Sequence, residues 1–168
     1  PGDVAAAMFI GAIPALGMLI VYLPIPAVLD RADPEPWWCL AMAFLWGALF
    51  ATGFSGFANT VFAEIVNASM GHKAAELLTP VVSAPIMEEG SKGLCVLGFF
   101  YFMRREFDGV VDGIIYATMC ALGFAAVENI AYYGRAALQG ADVFQTTFFI
   151  RGIIAPWGHP LYTSMTGI

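Results

Sequence analysis

The segment LLTPVVSAPIMEEGSKGLCVLGFFYFM, residues 77–103, is long and apolar, yet it carries two adjacent carboxylates and an amine near its middle. A membrane-spanning helix needs about 20 predominantly apolar residues. A charged side chain at the centre of such a helix costs about 2.5–3.5 kcal/mol on insertion. Glu88, Glu89 and Lys92 therefore predict either a functional site or an internal ion pair that avoids lipid.

The remainder of the chain also has the composition of a membrane protein. Of its 168 residues, 60% are hydrophobic and 12% are charged, whereas about 25% of the residues in a soluble domain are charged. Four more apolar segments accompany residues 77–103, at about residues 4–29, 37–62, 110–133 and 147–168. Residues 64–76 are predicted to form a polar connection between the second and third segments. We therefore predict an all-α, polytopic transmembrane helix bundle with about five spanning helices.

The whole chain, residues 1–168, is predicted to form a single transmembrane domain. It begins at Pro1 rather than Met and ends inside an apolar stretch, so we expect it to be a fragment of a longer chain. The lipid bilayer is the expected surroundings, and nucleic acid is excluded as a partner because no basic patch is present. The three isolated cysteines predict small buried thiols rather than a disulfide framework.

The basic residues of the loops predict an orientation. Arg31 and the pair Arg104–Arg105 lie in loops on the same side of the predicted bundle, opposite Lys73 and Arg135. The positive-inside rule places the side with more basic residues in the cytoplasm. We therefore expect a multi-pass protein of the cell membrane with Arg104 on the cytoplasmic side.

Two later apolar segments also contain ionisable residues. Glu128 shares a helix face with Phe124 and Tyr132, and His159 shares a face with Thr163. Taken singly, a buried Glu is explained equally well by protonation, and a lone His among aromatic residues is more often an ordinary core residue. Only in combination do these residues predict a site.

The depth of each residue in the membrane, counted along its helix, indicates whether these residues can meet. At a rise of 1.5 Å per residue, Glu88 lies about 24 Å from Arg104, Glu128 about 28 Å from Gly109, and His159 about 18 Å into the last segment. Glu88 and Glu128 then fall in the half of the bilayer away from Arg104, and His159 lies near the middle of a hydrocarbon core about 30 Å thick. We therefore predict one shared acid/base site in the non-cytoplasmic half of the membrane.

Other polar residues have simpler interpretations. Asp108 is predicted to cap the helix that follows it, with Asp112 one turn later in a position favoured by the helix dipole. Arg151 is predicted to extend toward the membrane interface.

The motifs in the second half of the chain resemble those of a known family. They are Glu-Glu-x-x-Lys at residues 88–92, Phe-x-x-x-Glu-Asn at residues 124–129, the run at residues 107–116 and the region of His159. Together they resemble the PrsW family of polytopic bacterial membrane proteases. That family is distantly similar to the type II CAAX prenyl endopeptidases, which carry a His where Glu128 stands here.

The resemblance implies a membrane-embedded endopeptidase of bacterial or archaeal type. Its expected substrate is a membrane-anchored protein, such as a single-span anti-sigma factor. The residues that match the family's motifs, and so are expected to be catalytic, are Glu88, Glu89, Glu128 and His159.

A glutamate-based mechanism is consistent with both lines of argument. Glu88 is the expected general base for a water held between it and Glu128. Two close carboxylates do not both ionise easily at low dielectric, so one of the two is expected to hold a proton and serve as acid. His159 is expected to hydrogen-bond the developing oxyanion. Glu89 would orient the site without reacting. The supporting residues are Lys92, Phe124, Asn129 and Thr163, and no cofactor is expected.

Two alternatives stay open at this stage. Glu88, Glu128 and His159 could bind a divalent metal such as zinc, although the chain has no HExxH motif and only one His in its apolar segments. The same buried charges could instead serve a proton- or ion-coupled transporter or a binding module that is not an enzyme.

Overall fold

The structure is a computed structural model that describes residues 2–31 and 33–168, most of which are helical and none of which forms a strand. The α-helices are α1 (Gly2–Tyr22), α2 (Pro24–Leu29), α3 (Trp37–Leu45), α4 (Thr52–Met70), α5 (His72–Leu78), α6 (Ala84–Phe102), α7 (Val110–Gln139), α8 (Ala141–Phe148) and α9 (Gly158–Ser164). Three π-helical turns follow α3, α5 and α8, at Trp46–Ala51, Thr79–Ser83 and Phe149–Ile154, and a 3-10 turn, Met165–Gly167, follows α9.

The π-helical turns join short helices into longer rods, and the first two of them connect α3 to α4 and α5 to α6 without a break. Three helical segments are long and apolar enough to cross a membrane: Val4–Leu29, Trp37–Met70 and Val110–Gln139. The predicted helical bundle is confirmed. The predicted count of five spanning helices is only approximate, because the rod containing α6 carries several charges and the C-terminal helices are short.

The outer surface of the bundle is apolar. Many large hydrophobic side chains are exposed on it, including those of Phe9, Ile20, Trp37, Phe57 and Phe102. Apolar cover of this extent on a water-soluble protein would form unusually large patches. It is the expected surface of helices that face lipid.

Helix α7 is the centre of the bundle. Its side chains are buried along most of its length, and α1, α3, α6 and α9 all pack against it. Close approach depends on small residues such as Gly47, because a Cβ there would overlap the backbone carbonyl of Cys120. Gly123 makes the reciprocal contact with the carbonyl of Phe44. The resulting backbone proximity fixes the position of α7 relative to α3 and the turn after it.

The connection between the second and third rods differs from the prediction. Residues 64–76 were expected to be a polar connection, but α4 continues to Met70 and α5 begins at His72. Gly71 alone separates the two helices, with a φ of 87°. This left-handed conformation favours glycine and reverses the chain direction in one residue. The polar residues lie instead on the exposed faces of the two helices.

The start of α7 also corrects a prediction. The residue that precedes its first turn is Gly109, so Asp108 is not the N-cap. Asp112 supplies the cap from within the helix, since its Oδ2 accepts the backbone N–H of Asp108 at 2.9 Å and that of Gly109 at 2.7 Å. A carboxylate in the first turn also interacts favourably with the helix dipole.

A second polar cluster, which the sequence did not predict, ties the loop before α3 to α7. The buried Tyr116 hydroxyl donates a hydrogen bond to Glu35 and contacts the backbone oxygen of Glu106 at 3.0 Å. Asp30 accepts the backbone N–H of Glu35 at 2.8 Å. Burial raises the pKa of the Glu35 carboxyl to about 7; the Tyr116 hydrogen bond opposes this rise and the charge of Asp112 adds to it.

Candidate functional site

The predicted site residues lie on helices that are far apart in sequence, and the structure brings them together. Helix α6 supplies Glu88 and Glu89, α7 supplies Glu128, and α9 supplies His159. The π-helical turn Phe149–Ile154 forms another side of the same cluster. The cluster is built around His159, whose two ring nitrogens face opposite groups of partners.

Lys92 lies at the buried side of the cluster. Its side chain is 0% exposed, and its Nζ lies 2.5 Å from Glu89 Oε1 and 2.9 Å from His159 Nδ1. An ammonium group has three N–H donors and no acceptor. The contact with His159 therefore requires Nδ1 to accept, which leaves the proton of a neutral imidazole on Nε2.

Glu89 is held by several partners at once. In addition to the Lys92 ion pair, its Oε2 accepts a hydrogen bond from the buried Thr163 hydroxyl at 2.8 Å. Its Oε1 also lies 3.6 Å from His159 Nδ1. Both carboxylate oxygens are thus occupied, which suits a group that orients its neighbours more than one that takes up a proton.

The other side of His159 faces a second carboxylate. His159 Nε2 lies 3.0 Å from Glu128 Oε2. Arg151 donates to the same carboxylate through Nη2, and its Nε donates to Asn129 Oδ1 at 2.7 Å. The guanidinium also stacks on the Tyr132 ring, with its Cζ 3.8 Å from the ring centroid.

The Phe124 ring forms the floor between these two groups. Lys92 Nζ lies 4.1 Å from its centroid, in cation–π geometry, and the His159 ring lies 5.1 Å away. Phe124 is buried one turn before Glu128 on α7. It therefore excludes water from the underside of the imidazole and the ammonium.

The structure corrects the prediction for Arg151. This side chain was expected to extend toward the membrane interface, but it is 24% exposed and forms an ion pair with Glu128. A charged residue near the start of an apolar segment can reach the membrane interface at little energetic cost. The residue type alone therefore did not distinguish a side chain at the interface from one that forms an ion pair inside the bundle. The count of residues along each helix that was applied to Glu128 and His159 could have been applied to Arg151 as well.

Glu88 differs from the other acids. Among the residues that the structure describes, no side chain donates a hydrogen bond to its carboxylate, and Ser91 bonds only its backbone oxygen, at 2.9 Å. One ligand atom from each of Glu88, Glu128 and His159 lies within 4.8 Å of the others. The Glu88 carboxylate therefore faces a small space bounded by a second carboxylate and an imidazole.

Charge is not balanced in this cluster. Glu88, Glu89 and Glu128 contribute three carboxylates, whereas Lys92 and Arg151 contribute two permanent cations. At low dielectric an unbalanced buried charge is costly. One more positive charge, as a proton supplies, would balance the cluster, whereas a divalent metal ion would leave one positive charge in excess.

Comparison with known proteins agrees with this arrangement. The family model for the PrsW family intramembrane metalloproteases matches residues 35–168. The chain belongs to this family. The matched range contains every residue of the site described above, and the resemblance drawn from the motifs is confirmed.

Curated relatives of the same family give the extent of the similarity. A protein from Geobacillus kaustophilus named Protease PrsW is 30% identical over 82% of this chain and 55% of its own length. A protein of the same name from Oceanobacillus iheyensis is 28% identical over 94% of this chain and 64% of its own length. The chain thus spans 55% of the length of the first relative and 64% of the length of the second. No solved structure matches the chain significantly.

The description of the PrsW family implies a metal ion, and the residues present fit one. Carboxylate oxygen and imidazole nitrogen are ordinary zinc ligands, and Glu88, Glu128 and His159 offer such atoms within 4.8 Å of one another. The carboxylate of Glu89 at 3.6 Å from His159 Nδ1 matches the common carboxylate–histidine–metal arrangement. The present contact between Lys92 and Nδ1 would have to break first, because a metal-bound Nε2 requires a proton on Nδ1.

Proposed function

We propose that this protein is an intramembrane endopeptidase that hydrolyses a peptide bond in a membrane-anchored protein, such as a single-span anti-sigma factor. Membership in a family whose relatives are named proteases supports the reaction class. The observation that carries the proposal is the Glu88 carboxylate, which receives no hydrogen bond from the side chains that the structure describes and lies within 4.8 Å of ligand atoms of Glu128 and His159. A water molecule in that space would contact a base and an acid together.

In the proposed mechanism Glu88 removes a proton from this water while the water oxygen attacks the scissile carbonyl carbon. His159 Nε2–H, held in that tautomer by Lys92, donates to the oxygen that becomes negative. The proton taken by Glu88 then moves to the leaving amine as the C–N bond breaks. Glu89 and Thr163 keep Lys92 and α9 in place and do not react.

Arg151 adds a role that the sequence did not suggest. Its ion pair with Glu128 favours the ionised form of that carboxylate. Of the two carboxylates facing the water, Glu128 is therefore the one that stays charged. Glu88, which has no such partner among the described side chains, is the one that takes up and releases the proton.

A metal-dependent peptidase is the second candidate, favoured by the ligand geometry. Glu88, Glu128 and His159 would hold the ion, which when bound would polarise the carbonyl and activate water. In that case Glu89 would accept the proton on His159 Nδ1 in place of Lys92.

We also propose that the protein lies in the cell membrane with this site in the non-cytoplasmic half of the bilayer. Glu128 lies about 18 Å further along α7 than Tyr116 at 1.5 Å per residue, and Tyr116 contacts the loops next to Arg31 and Arg104. These loops carry the basic residues that the positive-inside rule assigns to the cytoplasm.

The test is cleavage of a single-span substrate by the purified full-length protein in detergent. Glu88→Gln and His159→Asn are expected to lower kcat by at least about a hundredfold, whereas the exposed Glu76→Gln should have no effect. Full activity in both site variants would refute the proposed function. Loss of activity in a strong chelator, with recovery on adding zinc, would replace the glutamate mechanism by the metal-dependent one.

A further inference from the structure

A cavity of about 250 Å³ lies beside His159, between α7, the π-helical turn Phe149–Ile154 and α9. Most of its wall is apolar, and the residues that form that part are Ala125, Ile150, Ala155, Pro156 and Tyr162. Three polar side chains, those of Asn129, Arg151 and His159, converge on it. An apolar cavity with a few convergent polar groups is the usual design of a binding site.

The cavity adjoins the reacting groups. Arg151 and His159 both contact Glu128 directly and both form part of the cavity wall. A group bound in the cavity would therefore lie one side chain away from the carboxylates that hold the proposed water. This position suits the part of a substrate next to the bond that is cut.

The side-chain amide of Asn129 can donate a hydrogen bond to a bound group through Nδ2. Its Oδ1 accepts the Arg151 Nε–H at 2.7 Å, which fixes the orientation of the amide. Its Nδ2 donates to no other side chain or backbone group in residues 2–31 and 33–168. A peptide that unwinds in a membrane exposes backbone carbonyls that have no water to bond, and an amide donor in this wall would satisfy one of them.

We propose that this cavity is the subsite for the substrate residue next to the scissile bond, an inference that rests on the proposed peptidase function. The side chain of that residue, which is apolar and of limited size, occupies the wall formed by Ala155 and Tyr162. Its backbone carbonyl accepts a hydrogen bond from Asn129 Nδ2. The cavity thus sets which residue stands next to the cut.

The test changes the size of the cavity and the size of the substrate side chain together. Substrates that differ only in having Ala, Val, Leu or Phe next to the cut are compared by kcat/KM. Tyr162→Ala enlarges the cavity and is expected to raise the Phe to Ala ratio of kcat/KM about tenfold, while Ala155→Leu lowers it by a similar factor. Leu161→Ala is the matched control. Leu161 is next to Tyr162 in the chain and about equally exposed, at 65% against 67%, but Leu161 does not line the cavity.

Asn129→Asp tests the hydrogen bond separately. It keeps the acceptor for Arg151 and removes the Nδ2 donor, so all substrates should lose about tenfold in kcat/KM with unchanged ratios among them. If Tyr162→Ala and Ala155→Leu each changed kcat/KM by the same factor for every substrate, the subsite proposal would be overturned while the peptidase function would stand.

A binding measurement separates failure of the subsite from failure of the function. In Glu88→Gln protein that also carries Ala155→Cys, a substrate scanned with single cysteines should form a disulfide most readily at the residue next to the cut. The native cysteines are buried and should not compete. Cross-linking at one position without cleavage by the wild type would retain the subsite and refute the function, whereas uniform cross-linking along the substrate would overturn the subsite.

Discussion

Replacing Lys92 by Met removes the buried cation that connects Glu89 to His159. Loss of one member of a buried ion pair costs about 3–5 kcal/mol. The Lys92 side chain is 0% exposed, but Glu89 is 29% exposed and keeps its hydrogen bond from Thr163. We therefore expect a loss near the lower limit, about 3 kcal/mol, which lowers the Tm of a chain of this size by about 6–12 °C.

The partner substitution is expected to cost more. Glu89→Gln leaves the ammonium of Lys92 in a position with no exposure to solvent, so its loss should approach about 5 kcal/mol. The double variant Lys92→Met/Glu89→Gln removes both charges and should lose only about 1–2 kcal/mol, far less than the sum, because neutral replacement of a buried pair is often well tolerated. Lys73→Met changes an exposed lysine and should stay within about 0.5 kcal/mol of the wild type.

Thermal unfolding in detergent can be followed through the three buried cysteines, which react with a thiol-sensitive dye only when the chain opens. Losses that add within about 0.5 kcal/mol would refute the reasoning, since independent sites add to that accuracy. The stable double variant should nevertheless fail to cleave substrate. Its His159 no longer has the donor that holds the proton on Nε2.

Further predictions concern three other contacts. Arg151→Gln should lower kcat at least about tenfold, because Glu128 loses its charge partner, while Arg104→Gln in the loop should leave kcat unchanged. The free energy of unfolding should fall as pH rises from about 5 to about 8, because the folded state holds a proton on Glu35 that the unfolded chain releases near the ordinary pKa of a Glu carboxyl. Thermal unfolding of Glu35→Gln should lack this part of the pH dependence. Gly47→Ala should lower the free energy of unfolding by about 1–3 kcal/mol through overlap with the α7 backbone, whereas Gly53→Ala, which meets open space, should raise it by about 0.5–1 kcal/mol.

The sequence allowed the site to be anticipated because ionisable residues in apolar segments are few. Glu88, Glu128 and His159 stood out against their surroundings, and counting the rise along each helix placed Glu88 and Glu128 at a similar depth. The distinction between Glu88 and Glu89 needed more, because adjacent residues on a helix differ by rotation and not by depth. The structure adds that Thr163 and Lys92 both reach Glu89 and leave Glu88 open.

The contacts of Arg151 and Glu35 were not anticipated because both residues lie where the backbone departs from an ideal α-helix. Arg151 lies on a π-helical turn, which changes the rotation of the residues that follow relative to an ideal helix. Glu35 lies in an irregular loop, where no periodicity indicates the direction of the side chain. The pairing of Tyr116 with Glu35 also joins parts of the chain that only the packed bundle brings together.

The choice between a proton and a metal ion in this site depends on Lys92. The three carboxylates and two cations need one further positive charge, which a proton supplies, whereas a divalent metal ion supplies two. While Lys92 donates to His159 Nδ1, the imidazole proton lies on Nε2 and that nitrogen has no lone pair for a metal. Metal binding therefore requires Lys92 to leave Nδ1 and Glu89 to replace it, from 3.6 Å away. Because Lys92 is fully buried beneath these groups and is also held over Phe124, this exchange has a cost that Glu88 avoids when it takes a proton from the attacking water, which favours the proposed glutamate mechanism.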